Sequence, residues 1–179
     1  MSTKNARSDL PGPRPRAYNF FGDYLWNTHG TRVLKLPIDA GFTCPNRDGT
    51  TGDSGCVFCS EEGSASPTTL RAGDIREQME NARRSFHRSE AETRYIAYFQ
   101  AFTNTNAPVP DLKKLYDLAL SQKDVIGLMI GTRPDCLPDD VLDLILWCHG
   151  VIHDFLEKLA KNPDKLEIIG TGQQSRDLV

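Results

Sequence analysis

Three of the chain's five cysteines fall within sixteen residues: Cys44, Cys56 and Cys59, spaced C-x11-C-x2-C. Thiolates are soft ligands for zinc and for iron–sulfur clusters. Three of them on one stretch can fill three coordination positions and leave a fourth open, which is what distinguishes a catalytic metal site from a closed structural one. The intervening residues include Pro45, Asn46, Asp48, Gly49, Gly52, Asp53 and Gly55. Residues of these types favour turns, so an irregular loop is predicted from Gly41 to Cys59.

Two further thiols, Cys136 and Cys148, sit twelve residues apart at the start and end of a predicted helix. At most one of them can reach the loop, and both read as ordinary packed thiols. Any of His29, His87, His149 or His153 could complete a Cys3His zinc site, although none stands in a ligand-like spacing with the cysteines. From spacing alone, zinc and an iron–sulfur cluster both stay open.

Composition narrows the classes. At 179 residues, 39% hydrophobic and 25% charged, the chain suits one globular domain with a real core. A net charge of −3 gives no electrostatic reason to expect nucleic acid as the main partner. An odd cysteine count at uneven spacing reads as metal-binding before disulfide. No run approaches the ~20 apolar residues of a membrane span, and the N-terminus lacks the apolar core of a signal peptide. The expected compartment is therefore the cytoplasm, where thiols stay reduced.

The loop needs elements to hold it. Residues 1–17 read as a flexible basic arm, a solvated tail more readily than a phosphate contact. Phe21, Tyr24, Leu25 and Thr28 mark a helix over 19–29, with Gly30 as C-cap. Arg32–Ile38 reads as the first strand, so the loop hangs from its C-terminal end, where α/β folds place their chemistry. Asp74 and Glu77 resemble a capping box, and Ile75, Met79, Ala82 and Phe86 mark one face of the helix that follows, to about residue 87. Residues 95–102 form a nearly continuous apolar run, the pattern of a strand buried on both faces. Pro110 fits a helix N1 position, with Leu112, Leu115, Tyr116 and Ala119 as its stripe; Val125–Ile130 is a third strand. Pro138 opens a helix ending near His149, with Val141, Leu142, Ile145 and Leu146 facing the core. A separate helix around Ile152–Leu159 stops at Asn162-Pro163-Asp164, followed by a short strand over Leu166–Ile169 and a plain turn at Gly170-Thr171-Gly172. This alternation implies βα units around a parallel sheet with right-handed crossovers.

Several blocks of the chain carry a resemblance. They are Asn19–Leu25, the Ala40–Thr50 segment with its Cys44-Pro45-Asn46-Arg47-Asp48-Gly49 run, Gly55–Cys59, Ala97–Thr105 and Ile130–Asp139. Together they resemble the radical S-adenosylmethionine (SAM) superfamily over residues 18–148, and within it the YhcC/YtqA-like branch, whose cluster cysteines are widely spaced. The resemblance implies a [4Fe-4S] cluster on Cys44, Cys56 and Cys59, with SAM on the open iron. Reductive cleavage of SAM would give a 5′-deoxyadenosyl radical and methionine, with electrons from a donor such as flavodoxin or ferredoxin. It further implies that Phe58 lies near adenine, unless it simply packs the loop. Gln100, Thr103 and Asn104 would lie toward the methionine amino group, although the common Gly-Gly-Glu is absent there. Arg133 would meet the SAM carboxylate or a substrate, unless it pairs with Asp135 or Asp139. Arg47 and Asp48 would fix the loop.

The fold implied is an α/β parallel-sheet partial (β/α) barrel of radical SAM type. It is expected to be incomplete, with about three βα units plus a C-terminal helix and short strand. Six strand–helix units at ~30 residues each do not fit between Arg32 and Gly150. Residues 18–150 are thus read as the N-terminal part of such a domain, and 151–179 as a closing helix and strand remnant. The chain is expected to be a shortened member, in which activity is uncertain and the substrate is not legible.

Overall fold

The structure, a computed structural model, describes residues 17–63, 65, 73–86 and 93–160, with the main chain alone from 150 onward. Its elements are α1 (Phe21–His29), β1 (Arg32–Ile38), α2 (Ile75–Ser85), β2 (Thr93–Phe99), α3 (Val109–Leu120), β3 (Val125–Ile130), a 3-10 turn (Pro134–Cys136) and α4 (Asp139–Ala160). The described strands form one open parallel sheet in the order β1-β2-β3. Leu36 pairs with Ala97, Ile38 with Phe99, and Phe99 with Ile130. Strand order equals chain order, as successive βα units require. No described helix is long and apolar enough to cross a membrane.

Local chemistry sets the boundaries. Gly30 ends α1 in the left-handed region at φ 62°, its N–H on the Trp26 carbonyl. The Asp74 carboxylate caps α2 by accepting from the Glu77 N–H at 2.9 Å. Pro110 falls one residue inside its predicted place, at the second position of α3. Pro37 is tolerated in β1 because β1 is an edge of the described sheet. β2 ends at Phe99, earlier than the apolar run suggests. There the Phe99 carbonyl accepts from the Gly131 N–H, and Phe102 turns the chain at φ 60°, a left-handed conformation rare for an aromatic.

Alternation along the strands builds two packed layers. Leu36, Ile38, Tyr95, Ala97, Phe99 and Val125 face α2, α3 and α4, meeting Met79, Leu112, Tyr116 and Leu144. On the opposite face Ile96 and Ile126 pack on Leu25 of α1. β2 is therefore covered on both sides, as its composition predicts. Each fully buried Leu, Ile or Phe contributes about 1.5–3 kcal/mol.

α4 departs from expectation twice. It is one helix of 22 residues that runs past His149, where two helices were expected. Its buried positions are Val141, Leu144 and Cys148, with Ile145 beside them, an i, i+3, i+4, i+7 stripe. Leu142 is only half-buried and Leu146 is 59% exposed, so the predicted face was phased wrongly. The predicted Leu166–Ile169 strand, the 170–172 turn and the arm through residue 16 lie outside the described residues.

Cys148 is buried as a packed thiol, and burial pushes it up from 9.0 to about 11. Burial, with the Cys148 thiol nearby, likewise raises Tyr116, whose hydroxyl donates to the Asn104 carbonyl at 2.6 Å. Both groups ionise first in the unfolded chain, so the stability Cys148 contributes is whole below pH 9 and is lost as pH rises through 11, while that of Tyr116 is whole below pH 10 and is lost only at higher pH. Between pH 8 and 10.5 the cost of Cys148 is expected to be about 1–2 kcal/mol. Urea midpoints at the two pH values should separate the native chain from Cys148→Val; parallel losses would refute the assignment.

Candidate metal centre

The loop leaves β1 through Asp39, and α2 holds that exit. The buried Gln78 carboxamide accepts from the Asp39 N–H and donates to the Asp39 and Gly73 carbonyls, at 2.8, 2.8 and 3.2 Å. The one signal Gln78 leaves in the sequence is a polar residue on the apolar stripe of α2. Further on, the Thr103 N–H donates to the Thr43 carbonyl at 3.2 Å, tying the loop to the turn after β2.

Inside the loop the chain doubles back. The Cys44 carbonyl accepts from the Arg47 and Asp48 N–H groups, and the Pro45 carbonyl from those of Thr51 and Gly52. The Asn46 carbonyl takes the Gly55 N–H at 2.8 Å, and the Cys56 carbonyl takes that of Cys59 at 2.9 Å. An eleven-residue excursion thus returns Cys56 to the neighbourhood of Asn46, two positions from Cys44. The Asn46 Nδ2 donates to Cys56 Sγ at 3.0 Å.

Arg47 and Asp48 fix this arrangement. The Arg47 guanidinium donates to the Glu61 and Ser60 carbonyls at 3.0 and 2.5 Å, and at 3.5 Å to that of Cys59. It also lies 5.5 Å from the Phe102 ring centroid. A Cβ on Gly55, at φ 75°, would stand 2.9 Å from Arg47 Nε, so only glycine fits there. The Asp48 carboxylate accepts from the Thr50 N–H and from Asn106 Nδ2; the Thr50 side chain first, then these two bonds, hold its pKa below the usual carboxylate range.

The three thiols are all partly exposed. Partial desolvation pushes Cys44 up. Hydrogen bonds from Thr103 and the Asn46 main chain, with the Arg133 guanidinium, more than offset this and leave it below the ordinary thiol value. Arg133 Nη1 lies 3.9 Å from Cys44 Sγ. Its other nitrogens grip Asp135 in two hydrogen bonds of 2.9 and 2.6 Å. Arg133 therefore makes the expected pair with Asp135 and touches the cysteine as well. Cys136 is not a packed core thiol: it is half-exposed, 4.0 Å from the Asp135 carboxylate, and its pKa is raised by desolvation and that negative charge.

The remaining candidates separate. Thr103 is buried and bonded to Cys44. Asn104 is fully buried; its Nδ2 donates to the Phe99 and Gly131 carbonyls, stapling the ends of β2 and β3, while its Oδ1 has no hydrogen-bond partner. Gln100 follows β2 at once and donates its N–H to the Ile38 carbonyl. Phe58 is 88% exposed beside an equally open Val57, so it does not pack the loop. A cavity of about 440 Å³ adjoins, lined by Pro45, Thr50, Asn106, Asp135 and Cys136 among others. That volume suits a small-molecule ligand.

Among the described residues, no three His, Cys, Asp or Glu side chains stand grouped as a metal site. The donor set nevertheless fits an anionic thiolate-bound centre, with three accessible thiols and hydrogen-bond donors aimed at two of the sulfurs. His29 stands at the far end of the sheet, near Arg94 at the start of β2. The side chains of His87 and His153 lie outside the described residues.

Fold and site define an α/β protein that carries a three-thiol loop at the C-terminal edge of a parallel sheet. The chain is 44% identical over 130 residues to uncharacterized protein YtqA of Bacillus subtilis, covering 73% of this chain and 40% of the relative. It is 45% identical over 127 residues to protein YhcC of Escherichia coli K12, covering 71% and 40%. Against uncharacterized protein MJ0486 of Methanocaldococcus jannaschii the identity is 31% over 176 residues, covering 89% and 49%. The chain spans less than half the length of these curated relatives, and none of their names states a chemistry. No protein-family model and no solved structure matches it.

Proposed function

We propose that the chain is a radical SAM protein, or the cluster-bearing part of one, with Cys44, Cys56 and Cys59 holding a [4Fe-4S] cluster. One observation carries the proposal: hydrogen-bond donors meet two of the three loop sulfurs, Asn46 at Cys56 and Arg133 at Cys44. N–H donors at sulfur stabilise the negative charge of a thiolate-bound cluster. When bound, the cluster and SAM would supply an electron to the sulfonium bond and a 5′-deoxyadenosyl radical for hydrogen abstraction, as the family resemblance implies.

The chain's own residues bind and orient. Arg133 would meet the SAM carboxylate by exchanging Asp135, the carboxylate it now grips in two hydrogen bonds. Phe58 offers an open ring for stacking on adenine. Gln100, directly after β2, would be the polar group toward the methionine amino end, while Asn104 serves as scaffold, its amide nitrogen committed to the main chain. A flavodoxin- or ferredoxin-like donor and a reducing compartment such as the cytoplasm complete the proposal.

Anaerobic purification and analysis are expected to give about four iron and four sulfide per chain, lost on Cys44→Ala. SAM with a reductant should then yield 5′-deoxyadenosine. One zinc with no iron would replace this reading with a Cys-ligated zinc-binding structural or interaction module. A loaded protein that leaves SAM intact would be a cluster protein without the radical step.

A further inference from the structure

Asn46 makes two contacts that act on different atoms. Its main-chain carbonyl accepts from Gly55 at 2.8 Å and closes the excursion. Its side-chain Nδ2 donates to Cys56 Sγ at 3.0 Å. The first contact survives any substitution that keeps the backbone; the second does not. A side chain can therefore be removed here without removing the bond that shapes the loop.

We infer that Asn46 is a positioning residue that sets the electron affinity of the metal centre through its hydrogen bond to Cys56. This rests on the cluster reading above. A donor at a ligand sulfur draws electron density from the metal–sulfur bond and favours the reduced form, which carries more negative charge. Replacing the amide with a methyl removes that preference. Replacing it with a carboxylate of the same shape reverses it, because an acceptor and a negative charge then face the sulfur. The other two thiols are handled differently. Cys44 is served by Thr103 and Arg133, contacts that Asn46→Ala leaves in place.

The test reconstitutes native chain, Asn46→Ala and Asn46→Asp without oxygen. It measures iron and sulfide per chain, then titrates reduction by visible and paramagnetic resonance spectroscopy. All three are expected to hold the same iron and sulfide. The midpoint should move to more negative potential in the order native, Ala, Asp. At the native midpoint the ratio of reduced to oxidised centre should fall about five- to tenfold in Asn46→Ala, the size of one hydrogen bond. Equal potentials, or a positive shift in both variants, would overturn the inference while leaving the cluster reading intact. Loss of iron from both variants would also overturn it, by making the side chain a requirement for loop folding. A native chain that takes up no iron or sulfide would overturn both.

Discussion

Phe99→Ala is expected to lose about 3–5 kcal/mol of folding stability. Phe99 is fully buried at the C-terminal end of β2, and its ring meets Tyr116 edge-on at 5.1 Å and 74°. Truncation removes that contact and leaves a hole between the sheet and α3, where close-packed neighbours relax only in part. The effect also reaches the site. The Phe99 carbonyl is the acceptor for Asn104 Nδ2 and for the Gly131 N–H, the bonds that set the β2 and β3 ends beneath the thiols. A domain of this size is stable by about 5–15 kcal/mol, so the variant should unfold at far lower urea than the native chain. Leu146→Ala is the control: at 59% exposure it should stay within about 0.5 kcal/mol. A loss under about 1 kcal/mol for Phe99→Ala would contradict the core described above.

The second large effect is confined to the loop. Arg47→Met keeps the aliphatic stem over Phe102 and removes the guanidinium donors to the Cys59, Ser60 and Glu61 carbonyls. At about 1 kcal/mol net per hydrogen bond, the segment after Cys56 should open at least roughly tenfold more often, while the sheet and helices keep their urea midpoint. Alkylation followed by peptide mass analysis should show Cys59 reacting at least tenfold faster and Cys148 still protected. Arg47→Lys should behave nearly like Met, because one ammonium on a flexible stem cannot reproduce a planar fork across three carbonyls. Unchanged labelling of Cys59 would mean the clamp does not hold the loop.

How much of this was legible in the residues follows from which forces act locally. β1 and β3 appear with the predicted bounds because short apolar runs between turn residues leave few alternatives. The Asp74 cap and the Gly30 cap were readable for the same reason: each acts within four residues. α4 was not. Cys148-His149-Gly150 looks like a helix end, but one interior glycine costs only about 1 kcal/mol, and a 22-residue helix absorbs it. Leu146 reads as core, yet it is exposed, as is Trp147 beside it, which carries the Lys113 ammonium 3.5 Å from its ring centroid. At the site, the three cysteines were visible from spacing. Arg47 and Asp48 were also readable as the residues that fix the loop, but its other supports were not, since Asn46 and Gly55 meet through main-chain atoms, and Gln78 reaches Asp39 across 39 positions. The fold class was clear in coarse form, as an α/β chain with parallel strands in sequence order.

Arg133 stands 89 positions after Cys44, the sulfur its guanidinium reaches. During synthesis at roughly 5–20 residues per second, about 4–18 s separate the emergence of the first thiol from that of the arginine. Thr103 and Phe102 arrive earlier, but the β3 edge that presents Arg133 arrives last. A newly made chain therefore exposes its three thiols, with the Val57–Phe58 tip bare between two of them, before the cation that meets Cys44 exists. The order of assembly is written into the strand order: until β3 has docked, Cys44 lacks the guanidinium that reaches its sulfur.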